Sequence, residues 1–306
     1  MKRFALFIIS LFFITISSTF GQHTNVDDDY LSKDTLCFKY NFKLKDTLIY
    51  KAFSFDSISI DYDSPLMRVR EEIWQIVCDS LSFDYNFFLS MKLLSYKAVE
   101  SYKETRDNKV ETHNWVGRSS WILIDSLGYR LNYGSDDSLK FDLAPGGAFQ
   151  PNLIIALGTH CKEINETWSV RSLDDLAENG VPVPLVRQSS LFRLKGTIDT
   201  LGENCIRFEF IKTGQGSVRT IIDNNQMRVT NVINGFGVFD LSSNRGIPIH
   251  LFSTIEQKLT IHLSEEDKQP GYHYINTNFT LIDYKPYIPP KKEDKKTKPV
   301  KKNKKK

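Results

Sequence analysis

The stretch Phe83-Asp84-Tyr85-Asn86-Phe87-Phe88-Leu89-Ser90-Met91-Lys92-Leu93 carries a large apolar side chain at every second position: Phe83, Tyr85, Phe87, Leu89, Met91 and Leu93. Asp84, Asn86, Ser90 and Lys92 mostly fill the positions between. Successive side chains of a strand point to opposite faces, so a period of two held this long predicts a half-buried β-strand. The same habit returns at Ile206, Phe208 and Phe210, at Leu259, Ile261 and Leu263, and at Phe279 and Leu281. Turn-forming clusters separate such runs: Asp107-Asn108, Ser126-Leu127-Gly128, Leu201-Gly202-Glu203-Asn204, Asp223-Asn224-Asn225 and Ser242-Ser243-Asn244-Arg245-Gly246. Gly214-Gln215-Gly216-Ser217 reads as a further hairpin connection; the lysine that a phosphate-binding loop needs does not follow it. Ser64-Pro65-Leu66 with Val69, Ile73 and Ile76 fits a capped helix, but Glu72 to Cys78 equally fits a strand entering a hairpin, and we take the strand. Ser172 to Glu178 fits a short helix on a connection. The fold class expected is mainly antiparallel β, as one large curved sheet or half-barrel or as two related β-rich halves, with few short helices.

The two halves resemble each other. Lys45-Asp46-Thr47-Leu48 parallels Asn165-Glu166-Thr167-Trp168, Ile73–Leu81 parallels Phe192–Leu201, and Trp121–Gly128 parallels Gly237–Ser243. The offsets of roughly 115 to 120 residues keep one order, as a duplication would. Antiparallel meanders in general also look alike at this level. The join falls at Ala144-Pro145-Gly146-Gly147, giving halves at 36–144 and 148–285.

The chain opens Met1-Lys2-Arg3, continues almost wholly apolar from Phe4 to Ile16, and then turns small and polar to Gly21 and Gln22. That order is a secretory signal, with cleavage expected between Gly21 and Gln22 and a flexible start over 22–35. The apolar core is shorter than the roughly 20 residues that span a bilayer, and no later stretch is long and apolar enough to do so. No cysteine near the cleavage point offers a lipid-attachment site; the first is Cys37. The protein is therefore expected to be periplasmic or secreted. In that oxidising setting Cys37, Cys78, Cys161 and Cys205 are disulfide candidates, with pairing inside each half the natural guess and buried thiols the alternative.

Net charge is +3, but Lys291 to Lys306 holds ten lysines against Glu293 and Asp294, about +8. With Lys2 and Arg3 set aside, the rest of the chain is about −7. Only Val300 is apolar in the lysine stretch, so 286–306 is expected to be disordered: a solvated tail or an electrostatic anchor to an anionic surface such as phospholipid headgroups, lipopolysaccharide or acidic polysaccharide. An exported chain makes nucleic acid an unexpected partner.

Motifs for chemistry are sparse. Of six histidines, His23 lies near the mature start, His113 after a hairpin, and His250, His262 and His273 in the last strands. His160 adjoins Cys161, but neighbours in a strand face opposite ways, which argues against a working pair. No His-Glu-x-x-His, Cys-x-x-Cys, calcium loop or Gly-x-Ser-x-Gly is present, and no cofactor or metal is expected. Glu71-Glu72, Asp136-Asp137, Asp174-Asp175 and Glu265-Glu266 would make a glycosidase pair only if brought face to face. Asn165-Glu166-Thr167 and Asn278-Phe279-Thr280 match the glycosylation sequon, which matters only in a eukaryotic cell.

A leader, aromatic hairpins, the loop Pro145-Gly146-Gly147 and the turn Asn165-Glu166-Thr167-Trp168 together resemble exported β-rich proteins of unknown function from Gram-negative bacterial envelopes. Strand density and aromatic content are also remotely similar to half-barrel lipoprotein carriers, whose curved sheet shelters acyl chains. The resemblance implies a non-catalytic protein binding a hydrophobic or acylated ligand, with Phe83, Tyr85, Phe87, Phe208 and Phe210 facing it; ordinary core packing is the alternative for each ring. A structural or adhesive protein held by its basic tail, and an unrecognised hydrolase, are the other readings.

Overall fold

The computed structural model describes residues 34–135, 152–174, 185–222, 225–264 and 266–288. Gly21, Gln22, His23, the join at 144–147, Asp136-Asp137 and Lys291–Lys306 lie outside the described residues. Among the described residues fourteen strands follow one another: β1 (Thr35–Cys37), β2 (Thr47–Ile60), β3 (Leu66–Leu81), β4 (Phe87–Tyr102), β5 (Thr105–Val110), β6 (Ser119–Ile124), β7 (Arg130–Ser135), β8 (Cys161–Glu163), β9 (Thr167–Asp174), β10 (Leu185–Thr200), β11 (Glu203–Ile222), β12 (Asn225–Ser242), β13 (Pro248–His262) and β14 (Lys268–Lys285). Among the described residues there is no helix: Ser172 lies in β9, and 175–178 is outside them. The ambiguous segment is strand β3.

One antiparallel sheet of 12 strands runs β7-β6-β4-β3-β2-β14-β13-β12-β11-β10-β9, with β5 added on β4. The two sequence halves thus share a single sheet and meet where β14 pairs with β2. Strands β7 and β9 are its edges, and among the described residues it does not close into a barrel. β1 and β8 form a separate two-stranded clasp.

Alternation sets an inner face. Leu48, Tyr50 and Ala52 on β2, Trp74, Ile76 and Cys78 on β3, Phe208 and Phe210 on β11, and Leu251 on β13 are all buried in one cluster. Burying each such Leu or Phe side chain contributes about 1.5–3 kcal/mol. The segment after β1 fills the concavity: Phe38 packs on Trp168 of β9 (5.9 Å), and Phe42 on Phe87 of β4 (5.5 Å). Those strands stand eight places apart in the sheet, about 38 Å if it were flat. Phe38 and Phe42 are four residues apart and span at most about 14 Å. The sheet must therefore curl round this plug.

Leu153, Ile155 and Leu157 complete the plug as an irregular buried segment. The Tyr40 hydroxyl donates to the Ile155 carbonyl (2.9 Å) and accepts from the Ile155 N–H (3.1 Å), and the Trp168 indole donates to the Leu157 carbonyl (2.8 Å). These bonds satisfy backbone groups that a buried, non-strand segment would otherwise leave unpaired. Close approach explains Gly128, whose added Cβ would lie 2.5 Å from the Ile155 oxygen.

Two sequence-read turns lie elsewhere. Gly214–Ser217 is mid-strand in β11, paired on both sides. Asp107-Asn108 lies within β5, and its hairpin turns at Lys103-Glu104 instead. The two segments leading into β2 and β9 share one geometry. Lys45 (φ 66°) bonds the Cys78 carbonyl and Asp46 accepts from the Cys78 N–H; Asn165 (φ 69°) and Glu166 do the same with Leu194.

Candidate functional site

Of the five aromatic residues read as ligand-facing, Phe87, Phe208 and Phe210 do point to the inner face, but the protein's own rings cover them. Phe42 lies 5.5 Å from Phe87, Phe38 4.7 Å from Phe208, and Phe192 5.7 Å from Phe210. Phe83 and Tyr85 are not in a strand at all. They sit on the β3–β4 turn, 104% and 72% exposed. The alternation in sequence runs on through this turn because its phase happens to match that of β4.

The cysteines pair across the halves. Cys37 on β1 bonds Cys161 on β8, its direct cross-strand partner, and the expected pairing inside each half does not form. Cys78 and Cys205 remain buried thiols at the sheet's inner face. Burial first, then the neighbouring carboxylates, pushes Cys78 up to about 12 and Cys205 up to about 11. Neither is primed as a nucleophile. With Cys161 in a disulfide, His160 has no thiol partner there.

The clasp end of the sheet carries a cleft of about 620 Å³ between the β3–β4 turn, the segment following β1 and the β12–β13 turn. Asn41, Asp84, Tyr85, Ser126, His160 and Asn244 face it. Tight local bonds make the turn: Ser82 N–H to the Asn86 carbonyl (3.0 Å), Tyr85 N–H to the Ser82 carbonyl (3.2 Å), and Asn86 N–H to the Ser82 hydroxyl (3.2 Å). They hold Tyr85 at φ 57°, a left-handed conformation disfavoured for a bulky side chain. The Lys39 ammonium lies 5.8 Å from the centre of its ring. The side chains of Asn41, Asp84, Ser126, His160 and Asn244 make no hydrogen bond among the described residues.

The chain leaves the sheet at this same end. At the end of β14 the Tyr284 hydroxyl, and just beyond the strand the Tyr287 N–H (2.9 Å), both donate to the buried Asp46 carboxylate, which precedes β2. The Arg245 guanidinium covers the Tyr284 ring at 4.8 Å and pairs with Glu203 (2.7 Å).

Beyond the plug the inner face turns polar. Asp56 accepts from Arg70 Nε (2.6 Å) and Arg68 Nε (3.0 Å), and Glu72 takes the other side of Arg70 and the Trp74 indole (2.7 Å). Arg70 is 1% exposed. Burial acts to raise Asp56, but the His273 hydrogen bond and the charges of Arg70 and Arg68 outweigh it and hold the carboxyl at about 2. Burial raises Glu72 and lowers His273. Each cation here is matched by a carboxylate, which a buried charge requires. Past this cluster, at the far end, Ile58, Ile60, Leu66, Glu100 and Tyr102 border a hollow of about 730 Å³.

On the outer face the pairing registers set Leu191, Ile211, Phe236, Phe55, Val69 and Val99 in one row, interrupted by Thr254 and Asn276. The other histidines do not gather: His250 faces Asp240 (3.4 Å), His262 meets the Thr230 hydroxyl (3.1 Å), and His113 accepts from the Trp115 N–H (3.2 Å). Among the described residues no group of three or more His, Cys, Asp or Glu is placed to hold a metal ion. No protein-family profile matches the chain, and comparison with curated proteins likewise returns no match.

Proposed function

We propose that the protein is exported and works by binding, its clasp end held to an anionic surface by the lysine stretch Lys291–Lys306. The observation that carries this reading is the double clamp of Tyr284 and Tyr287 on Asp46, which brings the chain out at the clasp end just before the lysines begin. Each lysine near an anionic surface contributes about 1 kcal/mol, so a net +8 is enough for retention. The rest of the chain, about −7 once Lys2 and Arg3 leave with the signal, is repelled by the same surface, which favours docking by this end alone. The test is co-sedimentation at low salt with anionic phospholipid vesicles, lipopolysaccharide and an insoluble acidic polysaccharide, comparing the full chain with one lacking residues 289–306. Loss of retention on truncation is expected, and the arm that retains the full chain identifies the surface. A truncated chain that stays bound refutes the reading.

A second reading keeps the hydrophobic or acylated ligand but moves it. The plug fills the aromatic part of the inner face, whereas the far-end hollow offers Ile58, Ile60 and Leu66 as apolar lips. Organic extraction of gently purified protein tests it: recovered lipid supports the reading, and an empty extract at unchanged native mass removes it.

A further inference from the structure

We propose that the clasp-end cleft is a saccharide-binding site in which Tyr85 is the platform for one sugar ring. A pyranose shows an apolar face of C–H bonds and a rim of neighbouring hydroxyls. A site for it needs an exposed aromatic plane and short polar side chains that both donate and accept. The cleft has both. Tyr85 presents a ring that is 72% exposed, although a tyrosine ring is a large surface to leave in water. The turn holds it there at φ 57°, where glycine or asparagine would be easier to accommodate.

The polar complement lines the same cleft. Asn41 and Asn244 each offer a carbonyl and an amide in one plane, suited to a pair of adjacent hydroxyls, and Asp84 and Ser126 add acceptors. None of these side chains makes a hydrogen bond to another described residue, so binding breaks none among the described residues. At about 620 Å³ the cleft is within the usual range of ligand pockets, about 300–1,000 Å³. Its exposed walls at Asn41, His160 and Asn244 suit a run of sugars passing through better than one enclosed ring. The proposal is independent of the lysine stretch, because stacking and hydroxyl recognition do not require a charged ligand.

The experiment is depletion of the full-length exported chain from solution by suspended neutral polysaccharides: cellulose, chitin, a β-1,3-glucan, a mannan and an α-glucan. Salt at about 1 M shortens the screening length to about 3 Å and silences the lysines. At least one polysaccharide is expected to bind. Tyr85→Ala and Tyr85→Gly should weaken that binding by roughly tenfold, while Tyr85→Trp, which keeps an aromatic plane, should stay within about threefold. Tyr85→Gly guards against a folding artefact, since glycine suits this backbone. Asn41→Ala and Asn244→Ala should each weaken binding severalfold. The proposal is overturned if none of the polysaccharides binds, or if Tyr85→Ala and Tyr85→Gly bind as the wild type does. Neither result touches the low-salt retention attributed to the lysines.

Discussion

Tyr85 separates stability from function in one side chain. Its left-handed backbone costs a non-glycine residue about 1–2 kcal/mol, and its exposed ring returns little packing. Tyr85→Gly should therefore raise the urea midpoint, by about 1 kcal/mol of stability after the extra freedom of the unfolded glycine is deducted. A lowered midpoint would make the ring a structural element. The inner charge cluster makes a prediction of opposite character. Burial holds His273 below its ordinary value, so the folded protein binds fewer protons there than the unfolded chain. Stability should fall as pH drops below about 6.5, and fall again from about 4 towards 2 as Asp56, held at about 2, is protonated. Glu72, raised by burial, works against the first decline, but it does so equally in a His273→Asn variant. Urea midpoints between pH 7 and 5 should thus decline less steeply in that variant than in the wild type, and parallel declines would contradict the assignment. None of these partners was legible in the sequence, because Asp56, Arg70 and His273 meet only through the registers of β14, β2 and β3.

At the scale of elements, a long alternating run marks a strand with one buried face, which is why β4, β11 and β13 could be read from their residues, whereas β3 fitted a helix equally well and β2, which alternates in the same way, was not read. Alternation cannot say where a strand stops, so Phe83 and Tyr85 read as strand residues although they lie on a turn. Glycine as punctuation misled at Gly214–Ser217. There Gly214 sits in close approach to the neighbouring strand, where an added Cβ would come within 3.1 Å of the Arg187 oxygen. The disulfide was illegible for another reason. Cys37 and Cys161 are 124 residues apart and meet only because β1 and β8 are brought together over the plug. A non-reducing peptide map should show Cys37 joined to Cys161, with Cys78 and Cys205 alkylated only after unfolding. Cys37→Ser with Cys161→Ser should lower stability by up to about 4–5 kcal/mol, the entropy of so long a loop. A Cys37–Cys78 or Cys161–Cys205 peptide would refute the pairing.

On the scale of the whole body, a single decision organises the rest: the sheet curls round its own chain. Aromatic content suggested a concave face open to ligand, but Phe38, Tyr40 and Phe42, with Leu153, Ile155 and Leu157, occupy that space. Composition could not reveal this, since a ring that lines a cavity and a ring that fills one have the same sequence signature. The consequence is that one end gathers the disulfide clasp, the exposed Tyr85 turn, the unengaged polar side chains and the exit towards the lysines. The account rests on that end being the binding end. Hydrogen exchange by mass spectrometry, on the full chain with and without the polysaccharide that depletes it best, tests this most directly. We predict new protection at Lys39–Asn41, Ser82–Asn86 and Ser242–Gly246. Protection instead along the outer row of Leu191, Ile211 and Phe236, or at the far-end turn holding Asp61 and Asp63, would contradict it.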